Sequence, residues 1–400
     1  MIPRSLGRGE FIKLKGDFLM RKRINIVSLR LYDFEQSKVF TGGMERWIRD
    51  VAFLVRDKGY DVTVYQKDVY DFKHELADGI QVVGVKSGPT WRSHWTFSRW
   101  LEKNTCLDDP FIYVSMELAL SRQIQRAAGI QHGICWEGDF PRYKKLLNRL
   151  LQYQLIRRLR GVICVDTNYI NWCHAEYPDR ASWEHKLSYV PNYADPELFH
   201  AMQEPPRTDC LPTILFPRRV ASSRNPGRYG VLDRDSRGAG FLLKAIELLE
   251  KEGTRVRVIF AGRGRLQKEI RKWAQEHGMN DRITVTDVAL DEMPNLYAQA
   301  NVVVVPSLER EGTSFSAVEA IMCGIPTVVS HIGGLGNIVI DGLNGFICDL
   351  TPESLAQGIR RALYVRRLPT GQTLDLFREN MGKPSWERKV WAYLSHWLDL

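Results

Sequence analysis

A strand-sized apolar run followed by a helix-sized amphipathic stretch recurs along this chain, and after a polar, Pro-containing segment the pattern begins again. Ile24–Leu29 reads as a buried strand, and Thr41-Gly42-Gly43-Met44-Glu45-Arg46 opens a helix whose Trp47, Val51, Leu54 and Val55 share one face. Gly59 stands where a helix C-cap glycine belongs, and Asp61–Gln66 alternates as the next strand. Ile80–Val85, Phe111–Val114 and Gly161–Val165 continue the series, the last preceded by a long basic helix over Arg142–Arg160. The first unit ends near Val190–Asp195, and Gln203–Pro212 has the composition of a linker. Strands then follow at Thr213–Phe216, Arg255–Ala261, Ile283–Val285, Val302–Val305 and Thr327–Ser330. The helices between them fall at Phe241–Lys251, Leu266–His277, Met293–Ala300 and Ser314–Met322. Alternating β and α elements require parallel, doubly wound sheets, so two α/β domains in tandem with a cleft between them are expected. The expected division is an extension at 1–20, a first domain at 21–200, a second at 213–378, and a C-terminal helix at 379–400. That helix, with Trp386, Val390, Tyr393 and Trp397 on one apolar face, is expected to cross back to the first domain.

The net charge of +9 favours anionic partners without choosing among phosphorylated ligands, an anionic membrane face and nucleic acid. Seven cysteines with no pairing pattern point to reduced thiols in the cytoplasm. Cys164, Cys173 and His174 lack the spacing of a metal site, and no metal is expected. Met1–Leu19 has no apolar core of a signal peptide, and no apolar run is long enough to span a bilayer.

Three groups of residues carry chemistry. In the first, a loop brings Glu311 to a helix entrance where the N–H groups of Gly312, Thr313, Ser314 and Phe315 are free to meet an anion or a sugar hydroxyl, and Glu319 follows inside the helix. Two carboxylates so placed can accept hydrogen bonds at the two ends of one ligand; a cap and a solvated helix face is the plainer reading. The second group is basic: Arg218 and Arg219 end a strand, and Arg237-Gly238 precedes a helix, with the Arg-rich loop Ala221–Ser236 between them. Guanidinium groups there can neutralise leaving-group charge without a metal. Asp233-Arg-Asp235 lies in that basic loop rather than after an apolar strand, and is read as coincidence rather than as a metal motif. The third group lies in the first half. His132 in Gly129-Ile-Gln-His-Gly133 is a structural histidine or an active-site one, and Gly42-Gly43 permits close approach of a ligand to backbone. The helix Arg142–Arg160, with Leu146, Leu147, Leu150, Leu151, Leu155 and Leu159 in a stripe, fits an anionic membrane or core packing equally. Trp91, Arg92, Trp95, Arg99 and Trp100 form a second basic-aromatic patch.

Glu311 and Glu319 match the E-x7-E motif of family 4 of the retaining glycosyltransferases, and Glu319-Ala-Ile-Met-Cys-Gly-Ile-Pro-Thr-Val-Val resembles the run that follows it. Gly333-Gly334-Leu335 with Asp341-Gly342 and Asn344-Gly345, the stretch Val258–Gly264, and Leu296-Tyr297 with Val305-Pro306-Ser307 resemble further signatures of that family. The resemblance implies a GT-B fold, two tandem Rossmann-like domains facing across a cleft, and a retaining, metal-independent transferase. It would move a hexose-type sugar from a UDP- or GDP-sugar to a bacterial-type polysaccharide, oligosaccharide or lipid-linked acceptor. It implies that Glu311 and the Gly312–Phe315 turn contact the transferred sugar and that Glu319 holds the ribose. It places the base near Thr286–Val288, with Gly262, Asp287 and Val288 on the donor. Arg219 and Arg237 reach the diphosphate, with Arg218 able to stand in for Arg219; His132 lies beside the sugar, and Gly42 and Gly43 on the acceptor side. Arg237 stands where the family usually has Lys. The expected location is cytoplasmic, with the basic helix docking at the inner face of the membrane as a further reading. A nucleotide-sugar epimerase of the same architecture, or a non-catalytic nucleotide- or nucleic-acid-binding protein, is the competing expectation, although nothing resembles a nucleic-acid reading element.

Overall fold

The structure is a computed structural model that describes residues 22–76, 78–88, 90, 92–134, 136, 141–200, 211–220, 235–309, 311–365, 368 and 372–400. The extension at 1–20, most of the linker, and Arg224, Arg228, Asp233 and Arg234 lie outside the described residues, as does Trp91.

The first domain runs β1 (Arg23–Ser28), β2 (Tyr32–Asp33), β3 (Lys38–Val39), α1 (Gly43–Asp57), β4 (Asp61–Asp68), β5 (Phe72–Glu75) and β6 (Gln81–Lys86). It continues through α2 (Arg92–Asn104), β7 (Phe111–Tyr113), β8 (Ala127–Gln131), α3 (Arg142–Arg158), β9 (Gly161–Cys164), α4 (Thr167–Glu176) and β10 (Leu187–Tyr189). Its sheet has the order β10-β9-β8-β7-β1-β4-β6-β5, parallel except for the edge strand β5. The second domain runs β11 (Thr213–Phe216), α5 (Ala239–Lys251), β12 (Arg257–Ala261), α6 (Gln267–Glu276), β13 (Ile283–Thr286), α7 (Met293–Gln299) and β14 (Val302–Val305). It continues through α8 (Phe315–Met322), β15 (Thr327–Ser330), β16 (Gly345–Cys348), α9 (Pro352–Val365), α10 (Gln372–Met381) and α11 (Lys383–Leu398). Its six strands, β13-β12-β11-β14-β15-β16, are all parallel.

In each sheet the strand order turns back at one point, between β1 and β7 in the first domain and between β11 and β14 in the second. Connections leave such a point in opposite directions and open a crevice at the carboxyl ends of the strands, where doubly wound sheets bind ligands. The ends of β11 and β14 deliver Arg218, Arg219 and Ser307 to that crevice.

The predicted apolar face of α1 is buried as expected, with Trp47, Val51 and Val55 fully out of solvent, and Gly59 has a φ of +89° just past the helix. Two elements differ from the sequence expectation. The basic-aromatic patch is the helix α2, which buries Phe97 and Leu101 and leaves Trp95 exposed. The basic helix α3 stops at Arg158 and divides its leucine stripe: Leu155 and Leu159 are core, whereas Leu146, Leu147 and Leu150 are exposed together with Tyr143. The helix is thus anchored by its C-terminal half and open along its N-terminal half, so neither of the two readings holds for all of it.

The last helices join the two domains. Leu374 of α10 packs in the second domain, whereas Trp386, Val390, Leu394, Trp397 and Leu398 of α11 pack into the core of the first. The Trp386 indole stands edge-on to Trp47 at 4.7 Å, and a Cβ on Gly161 would overlap the Trp397 ring. Backbone hydrogen bonds from Ala194 to Met381 (3.0 Å) and from Lys383 to Ala194 (2.9 Å) fix the crossing.

Candidate active site

Glu311 lies between β14 and α8 and is almost withdrawn from solvent. Its Oε2 accepts from the Arg218 guanidinium, from Arg237 Nη1 at 2.6 Å and from the Ser307 hydroxyl at 2.7 Å. Burial alone would drive the carboxyl to take a proton. Arg218, Arg237 and the Ser307 hydroxyl outweigh it and hold the group below the usual carboxylate range. The loop is fixed by two glycines that no other residue could replace without a backbone clash. Gly238, at φ +87°, lies against the Pro306 carbonyl, and Gly333, at φ +54°, lies against the Glu311 carbonyl. Asp235, which sequence spacing left as coincidence, accepts from the N–H groups of Arg237 (3.0 Å) and Ala239 (3.1 Å) and so sets the start of α5.

The two candidate arginines at the end of β11 part company. Arg218 is buried on Glu311, and Arg219 is exposed and reaches across to the first domain, beside Glu45 and the N-cap glycine Gly42. Arg218 is therefore the one engaged with the carboxylate, and Arg219 makes no hydrogen bond or ion pair among the described residues. Glu45 is itself buried and bonded to Arg30 Nε at 3.0 Å, so a line of charged groups runs from Arg30 through Glu45, Arg219 and Arg237 to Glu311.

The turn Gly312–Phe315 faces the first domain rather than an open space. Gly312 lies against Val165 and the His132 carbonyl, so a larger residue would push the domains apart. Thr313 donates to the Val165 carbonyl (2.9 Å) and accepts from the Asn192 N–H (2.8 Å), and the Asn192 amide bonds the Thr313 carbonyl. Ser314 is the buried N-cap residue of α8 with no side-chain capping bond, and Phe315 packs against Gly43, Tyr193 and Arg46. The Thr313 hydroxyl is thus committed to holding the domains together.

Glu319 lies on the second turn of α8, buried, with Arg46 Nη1 on Oε1 at 2.6 Å and the Tyr297 hydroxyl on Oε2 at 2.9 Å. Gly262 packs directly on the Arg218–Arg219 backbone, which accounts for its lack of a side chain by packing within the chain. Asp287 pairs with Arg263 at the surface, and Val288 is half-buried beside it. These two sit apart from the Glu311 cluster, at the outer strand of the sheet.

On the first domain's wall, His132 follows β8 and stands edge-on to Trp47 at 5.7 Å. Its Nε2 is buried without a partner among the described residues. Burial pulls its imidazole down to about 4, against a weaker opposing hydrogen bond with the Val114 backbone, so the ring is neutral at physiological pH. Sequence reasoning did not single out Asp166, the N-cap of α4. Its Oδ1 accepts from Tyr169 N–H at 3.0 Å, while its Oδ2 is buried, close to Gly133 and Gly312, without a partner among the described residues. Burial raises this carboxyl to about 6, with Glu311 across the seam adding to the effect and the Tyr169 and Asn168 N–H groups opposing it. Its signal was present in the sequence: an Asp directly after an apolar strand is a helix N-cap, and N-caps at strand ends line the crevice. Among the described residues no three His, Cys, Asp or Glu side chains gather as a metal would require.

Residues 227–364, which include α5 to α9 and carry Glu311, Glu319 and Arg237, match the family model described as Glycosyl transferases group 1. Over those residues the second domain is similar to group 1 glycosyltransferases. The D-inositol 3-phosphate glycosyltransferase of Xylanimonas cellulosilytica is 34% identical over 143 residues, 34% of this chain and 30% of that protein. Matches to this and two other curated relatives span only 30% to 40% of their lengths. The frame extends further than the identity. The sucrose-phosphate synthase of Thermosynechococcus elongatus superposes with a TM-score of 0.72 at 15% identity, covering 94% of this chain and 99% of its own. Anabaena HepE, solved in complex with UDP, does so with a TM-score of 0.64 at 16% identity, covering 94% and 100%. The two Rossmann-like domains of this chain are therefore arranged as in GT-B glycosyltransferases, with the stretch that matches group 1 in the C-terminal domain.

Proposed function

We propose that this chain is a retaining, metal-independent glycosyltransferase that moves a hexose-type sugar from a UDP- or GDP-linked donor to a glycan or lipid-linked acceptor. The observation that carries the reading is the Glu311 cluster: a carboxylate kept ionised by Arg218 and Arg237 at the crevice of the second sheet, with Arg219 exposed beside it. In this reading the diphosphate lies against Arg219 and Arg237, and Glu311 accepts hydrogen bonds from hydroxyls of the transferred sugar. Glu319 takes the ribose and Thr286–Val288 border the base. As the bond to the anomeric carbon breaks, negative charge grows on the departing phosphate. Guanidinium groups already in place stabilise that charge with little reorganisation. The departing phosphate accepts the acceptor hydroxyl's proton on the same face, and configuration is retained. Neutral His132 offers the sugar a hydrogen-bonding group that adds no charge beside the leaving group. The relative of known structure with UDP supports a uridine donor.

A lipid-linked acceptor is supported by the exposed half of α3, where Tyr143, Leu146, Leu147 and Leu150 stand among Arg142, Lys144 and Lys145. No described helix is long and apolar enough to cross a membrane. The deciding experiment is thermal stabilisation by UDP, GDP, NAD and DNA, followed by sugar transfer in EDTA. Stabilisation by UDP or GDP with turnover in EDTA is expected. Stabilisation by NAD alone, or activity that returns only with a divalent cation, would overturn the reading.

A further inference from the structure

We infer that Arg46, on the first domain, is the positioning residue for Glu319 on the second, so that the acceptor-side domain determines how well the donor-side domain reads the ribose. The inference rests on Glu319 as the ribose-binding carboxylate. Arg46 lies on the first turn of α1, directly after Gly42-Gly43, and its guanidinium crosses the seam to Glu319 Oε1 at 2.6 Å. Both side chains are nearly out of solvent, at 14% and 5% exposure. The guanidinium is held between aromatic faces, 4.4 Å from the Phe315 ring centre and 5.2 Å from that of Tyr193. Asp50, one turn further along α1, lies 3.9 Å from Arg46 and accepts from the Tyr193 hydroxyl. The arginine is thereby fixed before any ligand arrives.

An ionised carboxylate has about four lone-pair positions. Arg46 and the Tyr297 hydroxyl use one on each oxygen, and the two that remain match the vicinal hydroxyls of a ribose. The groups that face this carboxylate are Arg46 from α1 and Tyr297 from α7; behind them, Asp50 from α1 and Tyr193 after β10 face Arg46, and Cys323 after α8 faces Tyr297. Arg46 supplies the positive charge among them. Burial pushes Glu319 upward even with Arg46 opposing it. Without that guanidinium the upward push of burial loses its main opponent, the carboxyl holds a proton more readily, and a protonated oxygen donates where a diol needs an acceptor.

The test compares binding of UDP and 2′-deoxy-UDP by calorimetry, or the guanosine pair if GDP stabilises the protein more, in wild type, Arg46→Met and Glu319→Gln. Wild type is expected to prefer the ribonucleotide at least tenfold. Arg46→Met should cut that preference to below threefold while binding the deoxynucleotide within about threefold of wild type, and the preference should be larger at pH 8.5 than at pH 6. Should the methionine variant not fold, Arg46→Gln carries the same expectations. A full preference in the Arg46 variant, with the preference lost in Glu319→Gln, would overturn the role of Arg46 and leave the ribose reading standing. A full preference in Glu319→Gln would overturn the ribose reading itself. A purely structural Arg46 would weaken both nucleotides equally and show no recovery with pH, which also overturns the inference.

Discussion

Glu311 on the second domain and Asp166 on the first approach each other across the seam, both out of solvent, yet their carboxyls move in opposite directions. Three donors converge on Glu311 and hold it ionised; Asp166 has N–H groups on one oxygen only, and its other oxygen meets glycines. Burial is the same influence in both cases, and the partners decide its outcome. The second domain thus offers a wall of fixed charge suited to an anionic leaving group. The first offers His132, neutral at physiological pH, which can orient a ligand without competing for that charge.

Breaking the charged wall should have the largest effect. Glu311→Ala is expected to lower turnover by about two to three orders of magnitude. Nucleoside diphosphate binding should hold or tighten, because Arg218 and Arg237 lose an internal partner. Steady-state kinetics beside calorimetry checks this, and undiminished turnover would remove Glu311 from the reaction. Arg237→Ala should weaken nucleoside diphosphate binding by about tenfold, roughly 1.4 kcal/mol, with Arg218 still holding Glu311; unchanged affinity would show that the diphosphate lies elsewhere.

On the first domain's side, Asp166→Asn keeps the capping oxygen and removes the titrating one. Because the folded carboxyl is raised to about 6, ionisation costs the fold stability as pH rises from about 4 through 6. The variant should therefore gain up to about 3 kcal/mol above pH 6. That gain should fade as pH drops below the unfolded carboxyl range. Denaturant melts at pH 4 and pH 7.5 read the difference, and an equal change at both would mean that Asp166 does not titrate in the fold. The smallest effect is expected at the seam between the walls. Thr313→Val leaves the Val165 carbonyl and the Asn192 N–H without their partner, at a cost of about 1 to 2 kcal/mol. Easier opening of the seam, seen as faster amide exchange at Asn192, would accompany it.

Much of the second domain was legible because its strands are short runs of Val, Ile, Leu and Phe between turn residues: Thr213–Phe216, Val302–Val305 and Thr327–Ser330 lie where the pattern predicts. The first domain was harder. Ala127–Gln131, a strand of the central sheet, has small and polar residues that carry little β preference, and it is a strand because β7 and β9 pair with it on both sides. The candidate site was legible in part for the same reason. Spacing alone put Glu311 and Glu319 at one helix entrance. It had no means of ranking Arg218 against Arg219, since neighbours at a strand end point to opposite sides and only the packed loop decides which side holds the carboxylate.

Local chemistry is written residue by residue, and so the chain by itself determined the two doubly wound sheets, the glycines at the turns, the closing helix with its tryptophans and the pair of glutamates. Contacts between residues far apart in the chain are not written that way. That Arg46 meets Glu319, that Thr313 is committed to Asn192 and Val165, and that Asp166 is left half without partners follow only from two domains brought face to face. Burial and charge act through space, and their balance at each carboxyl exists only once the seam has closed.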